Sequence, residues 1–231
     1  MSTSNRVLAF ASATPRSPAP ANGESSEALH ILVGPSPAAA HLWDQIRRVA
    51  PHFRTALLTG EAATGAEAVA RALHDLSPAT WRSFLSLSPT DAEDYFGRRS
   101  LQALPSDGTV FLTDIENLSR PAQTGLMRAI RHRSTNPIRI IAFARQGLRA
   151  AVSAGTFSAD LASALTAVRI GLPPLRERAQ DVPMLLSHML HRRSQQLGRP
   201  TPALSTEFLE AATVYPWPGN LHQMGIVLEH L

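Results

Sequence analysis

An α/β core with a mostly parallel, three-layer arrangement, followed by a small all-helical domain, is the fold class this sequence predicts. Between residues 29 and 172, apolar runs of strand length alternate with stretches of helical periodicity. A loop bounded by Gly60 and Gly65 joins one such run to a helix. Beyond Pro173-Pro174 only helical patterns remain. Alternating strands and helices imply a parallel sheet covered on both faces.

Each element has its own signal. Ser36 before Pro37 forms an N-cap and first-turn pair, and Ala39, Leu42, Trp43, Ile46 and Val49 then mark one helical face that Pro51 stops. Thr55 to Thr59 reads as a buried strand. The loop Gly60 to Gly65 leads into a helix with Val69, Leu73 and Leu76 inward. Phe84 to Leu87 fits a second strand. Asp107-Gly108 turns the chain into the apolar run Thr109 to Thr113. A helix over Pro121 to His132 buries Ala122, Leu126 and Ile130, and Ile138 to Phe143 and Ala167 to Leu172 are two further strands. In the helical part, Asp181 is placed to cap a helix burying Val182, Leu185, Leu186, Met189 and Leu190. Further helices start at Ser205 and after Pro218-Gly219-Asn220. The predicted organisation is a disordered Ser/Ala/Pro-rich tail over 1–28, the core over 29–172 and the helical lid over 173–231, truncated and without a helix-turn-helix.

Composition narrows the function classes. No apolar stretch approaches the roughly 20 residues of a membrane helix, and the N-terminus has no signal-peptide core, so a cytoplasmic protein is expected. Without cysteine there is neither a disulfide framework nor a thiolate zinc site. All 22 basic residues are arginine, so no lysine is available to any phosphate site. The net charge of +4 is too small to argue for nucleic acid by itself.

The phosphate-loop template places two glycines five positions apart and then a lysine, between a strand and a helix. Gly60-Glu61-Ala62-Ala63-Thr64-Gly65-Ala66-Glu67 has that context, with Gly60, Glu61, Thr64, Gly65 and Glu67 as a vestigial nucleotide cradle. An ordinary strand-to-helix turn would carry the same two glycines. Other segments add weight: Gly108-Thr109-Val110-Phe111-Leu112-Thr113-Asp114-Ile115 resembles a Walker B strand. Leu172-Pro173-Pro174-Leu175-Arg176-Glu177-Arg178, Asp181-Val182-Pro183 and Tyr215-Pro216-Trp217-Pro218-Gly219-Asn220-Leu221 follow in order, and Leu32-Val33-Gly34-Pro35-Ser36-Pro37 matches a domain opening. Together these residues resemble the AAA+ domain of sigma-54-dependent transcription activators, the bacterial enhancer-binding proteins, from Leu32 to the end of the chain.

The resemblance implies a P-loop NTPase core and a lid, in rings that hydrolyse ATP between subunits to remodel polymerase carrying sigma-54. Matched position by position, it also implies a degenerate member. The phosphate lysine is Ala66; the Walker B acidic pair is Thr113 and Asp114; the sensor asparagine is Arg145. The trans-acting arginines are matched by Ser158 and Ala164, and the lid arginine by His222. Arginine fingers alone are worth on the order of 10³ to 10⁵ in rate. Five electrostatic devices are thus missing or weakened, and no catalytic residue is expected to remain. Tyr95-Phe96-Gly97 resembles the lead-in to the family's sigma-54-contacting loop, but Arg98-Arg99-Ser100 continues without its Gly-Ala-Phe-Thr-Gly-Ala sequence. No phosphoreceiver is expected ahead of the core.

Other clusters have plainer readings. His188 and His191 lie three apart on a helix without a second pair to complete a metal template, so no metal is expected. Asp91, Glu93 and Asp94 read as a solvated face. Arg120, Arg128, Arg131 and Arg133 read as an ordinary helix surface rather than a DNA contact. Trp43 and Trp217 read as packing residues. The expected function is a pseudo-ATPase that serves as a protein-interaction or regulatory module in transcription, with an intact sigma-54 activator or another AAA+ subunit as partner. The alternatives are a divergent ATPase completed by a partner subunit, and a small nucleotide or DNA sensor. Backbone N–H groups need no lysine, which leaves room for weak binding of ATP or ADP.

Overall fold

Burial along the strands alternates in destination rather than in degree, as expected where a sheet is covered on both sides. In the computed structural model, which describes residues 32, 34–98, 108–131 and 138–230, five strands form one parallel sheet in the order β2-β3-β4-β1-β5. They are β1 (Thr55–Thr59), β2 (Phe84–Leu87), β3 (Thr109–Leu112), β4 (Arg139–Ala144) and β5 (Arg169–Gly171). Ala56 and Leu58 of β1, Phe111 of β3 and Ile141 and Phe143 of β4 face one apolar cluster. Leu57, Val110, Leu112, Ile140 and Ala142 face the other.

Helices α1 (Pro37–Val49) and α2 (Ala66–Asp75) cover the first face. Ser36 caps α1 by accepting from the Ala39 N–H at 3.1 Å, and Leu42 and Ile46 turn inward. The second face is covered by α3 (Pro89–Ala92) with the turn Glu93–Arg98, α4 (Arg120–Arg131), the short α5 (Arg149–Ser153) and α6 (Ala159–Leu165). Gln123 of α4 is buried and joins three segments: its amide donates to the Leu118 and Thr156 carbonyls and accepts from Ser158 N–H. A 3-10 segment, Leu175–Asp181, then leads to α7 (Val182–Gln196), α8 (Thr206–Val214) and α9 (Asn220–Glu229), which share a separate core around Leu186, Trp217 and Met224.

The α/β core and helical lid match the sequence expectation, and Trp43 and Trp217 pack as expected. Leu76 does not: it lies at the C-terminal cap of α2 and is exposed, because the helix ends before its face comes round again. Asp181 also differs. Its backbone is already helical and its side chain caps nothing on α7. The carboxylate instead accepts from Ser36 N–H at 2.8 Å and Ser36 Oγ at 2.7 Å, tying the domain opening to the lid hinge. Gly34 makes this approach achievable, since a Cβ there would sit 2.2 Å from the Asp181 carboxylate. The expected acidic face is also engaged: Asp91 closes a capping box with Ser88, and Glu93 accepts from Ser119. The expected 1–28 tail, Arg99-Ser100 and Arg133 lie outside the described residues. Among those residues no helix is long and apolar enough to cross a membrane.

Candidate functional site

Parallel strands bring their carboxyl ends to one edge, where ligands of open α/β sheets bind. Thr59 of β1 pairs with Ala144 of β4, and Ala142 of β4 pairs with Leu112 of β3. The segments that follow, starting at Gly60, Arg145 and Thr113, therefore emerge side by side. All the sequence-predicted core positions except Ser158 and Ala164 belong to this edge or to the elements flanking it.

The loop 60–65 has an outer side fastened to the lid. Asn220 Nδ2 donates to the Ala62 carbonyl at 3.0 Å, Leu221 N–H to the Ala63 carbonyl at 3.1 Å, and the Arg178 guanidinium to the Thr64 carbonyl at 3.1 Å. Arg178 is 2 % exposed, and its burial lowers its pKa while Asp181 works in the opposite direction. Glu61 meets Arg176 through both oxygens, at 2.9 and 2.5 Å, and accepts from Asn220 at 3.2 Å. Hydrogen bonds from Arg176, and then Asn220, bring the Glu61 carboxyl down from 4.5 to about 2. Asn220 also accepts from Leu175 N–H at 2.9 Å, so one amide holds the loop and the start of the lid together. Ala63 and Asn220 both have positive φ, 57° and 47°, a backbone cost that this seam sustains.

The inner side of the loop has the backbone turn of a phosphate loop, with alanine in the lysine position. Gly65 takes a left-handed conformation, φ 100°, which turns the chain into α2. The N–H groups of Gly65, Ala66 and Glu67 meet no acceptor among the described residues. Such an array at a helix start attracts anions. Ala66 puts a methyl group where a lysine would reach forward. Beside the cradle opens a cavity of about 510 Å³, bordered by Gly60, Thr59, Arg145, His41, Leu42 and Leu172 among others.

The end of β3 is where a metal-organising carboxylate is expected, and Thr113 offers only a hydroxyl. Asp114, in a left-handed conformation with φ 45°, is gripped by Arg145: Nε to Oδ1 at 2.7 Å and Nη2 to Oδ2 at 3.4 Å. That pairing, with Glu116 nearby, raises the Arg145 pKa further. Glu116 accepts from Arg145 N–H at 3.0 Å, and its other oxygen is enclosed without a partner among the described residues. The donor set does not fit a magnesium-bound triphosphate: one carboxylate is engaged by a guanidinium, the other position is neutral, and the chain has no lysine.

Several predicted positions do structural work instead. Ser158 caps α6, accepting from Leu161 N–H at 3.4 Å, and the Ala164 carbonyl accepts from Thr55 Oγ1 at 2.7 Å. His222 is exposed on α9. Thr64 is buried and donates to the Glu61 carbonyl at 2.9 Å. Glu67, assigned to the cradle from sequence, pairs with Arg71 at 3.0 Å one turn along α2, because its side chain leaves the helix on the outer surface. Glu61 likewise faces the lid, not the cleft. Two residues escaped the sequence reading as site groups: Arg178, a buried guanidinium whose only signal was its place in Leu175-Arg176-Glu177-Arg178, and Arg145, read as a loss but placed at the cavity mouth.

A parallel-sheet P-loop NTPase core of the AAA+ type with a helical lid is the class these features define. The chain belongs to the sigma-54 interaction domain family, whose model matches residues 33–175, and an AAA+ ATPase lid domain model matches residues 176–231. It is 32% identical over 233 residues to the transcriptional regulatory protein ZraR of Salmonella typhimurium, covering 89% of this chain and 53% of that one. It is 32% identical over 254 residues to the DNA-binding transcriptional regulator NtrC of Azospirillum brasilense, covering 96% of this chain and 52% of that one. The chain thus spans about half the length of these curated relatives. Among solved structures, NtrX from Brucella abortus in complex with ATP superposes with a TM-score of 0.75 at 26% identity, covering 86% of this chain and 51% of that one.

Proposed function

We propose that this domain is a non-hydrolysing AAA+ module that regulates sigma-54-dependent transcription through protein contacts, in the cytoplasm. The observation that carries the proposal is the Asp114–Arg145 pair at 2.7 Å, which engages the carboxylate matched to the Walker B acidic pair, next to a loop with Ala66 in the lysine position. Phosphoryl transfer depends on positioning and charge neutralisation at the terminal phosphate. Here the cis lysine is missing and the positions matched to trans-acting arginines are spent on a helix cap and a strand contact. Meanwhile hydrogen bonds from Asn220, Leu221 and Arg178 still fasten the lid to the loop, so the shape presented to neighbouring subunits persists without the chemistry.

The partner of this reading is an intact sigma-54 activator or another AAA+ subunit. Mixing the purified protein with such an activator and following the activator's ATP turnover and assembly size tests it. The expected result is co-assembly with a changed turnover per intact subunit. No change in either, at micromolar concentrations of both, contradicts the regulatory role. A second reading, a divergent ATPase completed in trans, draws on the intact N–H cradle at Gly65 to Glu67. It requires turnover in the mixture that vanishes when Asp114 of this chain is replaced by Asn.

A further inference from the structure

We propose that a groove between α4 and the start of α6 docks a short acidic segment of a protein partner, held by Arg120, Arg128 and Arg131. The proposal rests on the protein-contact reading above and names the surface and the chemistry of that contact. The groove has a volume of about 390 Å³ and shares no lining residue with the cavity beside Gly60. Its lining carries three arginines and a single acid, Asp160. Among the described residues none of the three arginines has a carboxylate partner.

Helical spacing makes these charges one surface. Arg120, Thr124, Arg128 and Arg131 follow one another at intervals that share a face of α4, and all four are exposed. The helical rise puts Arg131 about 16 Å along the axis from Arg120. Basic charge in the last turn complements the helix dipole, which accounts for Arg128 and Arg131. It does not account for Arg120, which stands in the first turn, where the dipole opposes a cation. Arg120 is fixed there all the same, donating from Nη2 to the Gly155 carbonyl. Arg128 and Arg131 are also like charges on neighbouring positions of one face, an arrangement that disfavours the helix. An anion laid along the face relieves both costs.

The groove is formed before anything enters it. Buried Gln123 donates to the Thr156 carbonyl at 3.0 Å and accepts from Ser158 N–H at 2.8 Å, which fixes the spacing of its two walls. Preorganisation of this kind lowers the cost of binding. An extended chain advances about 3.3 Å per residue, so about five residues cover the face. Its alternate side chains share one side, which lets alternate carboxylates meet the guanidinium groups. Nucleic acid fits less well: the lining has no aromatic ring for a base to stack on, and Asp160 repels a phosphate backbone.

Calorimetric titration of the full chain with hexaglutamate tests this, with hexaglutamine as the uncharged control and a short DNA duplex as the competing polyanion. The expected outcome is hexaglutamate binding about tenfold or more tighter than hexaglutamine, weakening as salt is raised. Replacing Arg128 and Arg131 together, Arg128→Gln with Arg131→Gln, should weaken hexaglutamate about tenfold. The paired control Arg47→Gln with Arg48→Gln removes the same charge from α1, on the other face of the sheet, and should leave the affinity unchanged. Arg128 and Arg131 are exposed, so the melting temperature should stay close to that of the parent, which separates loss of a contact from loss of the fold. Equal losses in the two double variants, no binding of hexaglutamate up to about 1 mM, or tighter binding of the duplex through the same two arginines overturns the proposal. Co-assembly with an intact activator is followed separately and can persist through other surfaces when this groove is disabled, so the two readings can fail independently.

Discussion

On its outer side the loop 60–65 gives three carbonyls to the lid, whereas its inner side faces a cleft from which the phosphate lysine and the metal carboxylate have been replaced. One segment of backbone thus serves two networks in different condition. The outer one, Glu61, Arg176, Arg178 and Asn220, is hydrogen-bonded and in part deeply buried. The inner one has been rebuilt around Asp114 and Arg145, both of which reach solvent. The difference teaches that the contacts holding the loop to the lid and the groups lining the cleft are separate sets of residues, so that on the proposed reading the shape can persist without the chemistry.

Breaking the outer network should cost most. Asn220 is fully buried, bonds Leu175, Glu61 and Ala62, and has φ 47°, so Asn220→Ala should lower the unfolding free energy by about 3 kcal/mol. Urea denaturation reads this, and a loss near zero would mean the seam is not what fixes the lid. Asp181→Ala removes two hydrogen bonds from a side chain that is 1 % exposed. A cost of about 2 kcal/mol is expected there, and Gly34→Ala should destabilise in the same direction by forcing the carboxylate aside.

Acid should sharpen the contrast. The folded-state pKa of Glu61 is depressed to about 2, so its stabilisation is fully present above the ordinary value of 4.5 and disappears as pH falls through about 2. Relative to Glu61→Gln, the parent protein should lose stability between those limits and stay level above them, as followed by urea midpoints across pH. The smallest effect belongs to the inner network: Asp114→Ala breaks a pair in which Arg145 is 56% exposed, and should cost less than about 1 kcal/mol. A larger loss there would show that the rebuilt cleft is itself a structural element.

Much of this was legible in advance because the strand and helix signals are local. Ser36-Pro37 specifies its own cap, and runs such as Thr55–Thr59 can only be buried strands once helices follow them. The replaced positions Ala66, Thr113 and Arg145 were legible too, since a motif exposes its own exceptions. What could not be read was direction. Asp181 looked like a cap because caps are local; its real partner, Ser36, is 145 residues away. Glu61 and Glu67 looked like cradle residues because a motif names positions and not the side from which each side chain leaves the backbone. Arg145 looked like a deletion of function, and only the register of β1 against β4 puts it beside Gly60.

Steady-state phosphate release from magnesium ATP by the purified protein alone bears most directly on the claim that this cleft does not hydrolyse. The account predicts release indistinguishable from that of the Asp114→Asn variant, at every protein concentration. Turnover at about 1 per second, within the ordinary range of enzymes, and abolished by Asp114→Asn, would contradict it.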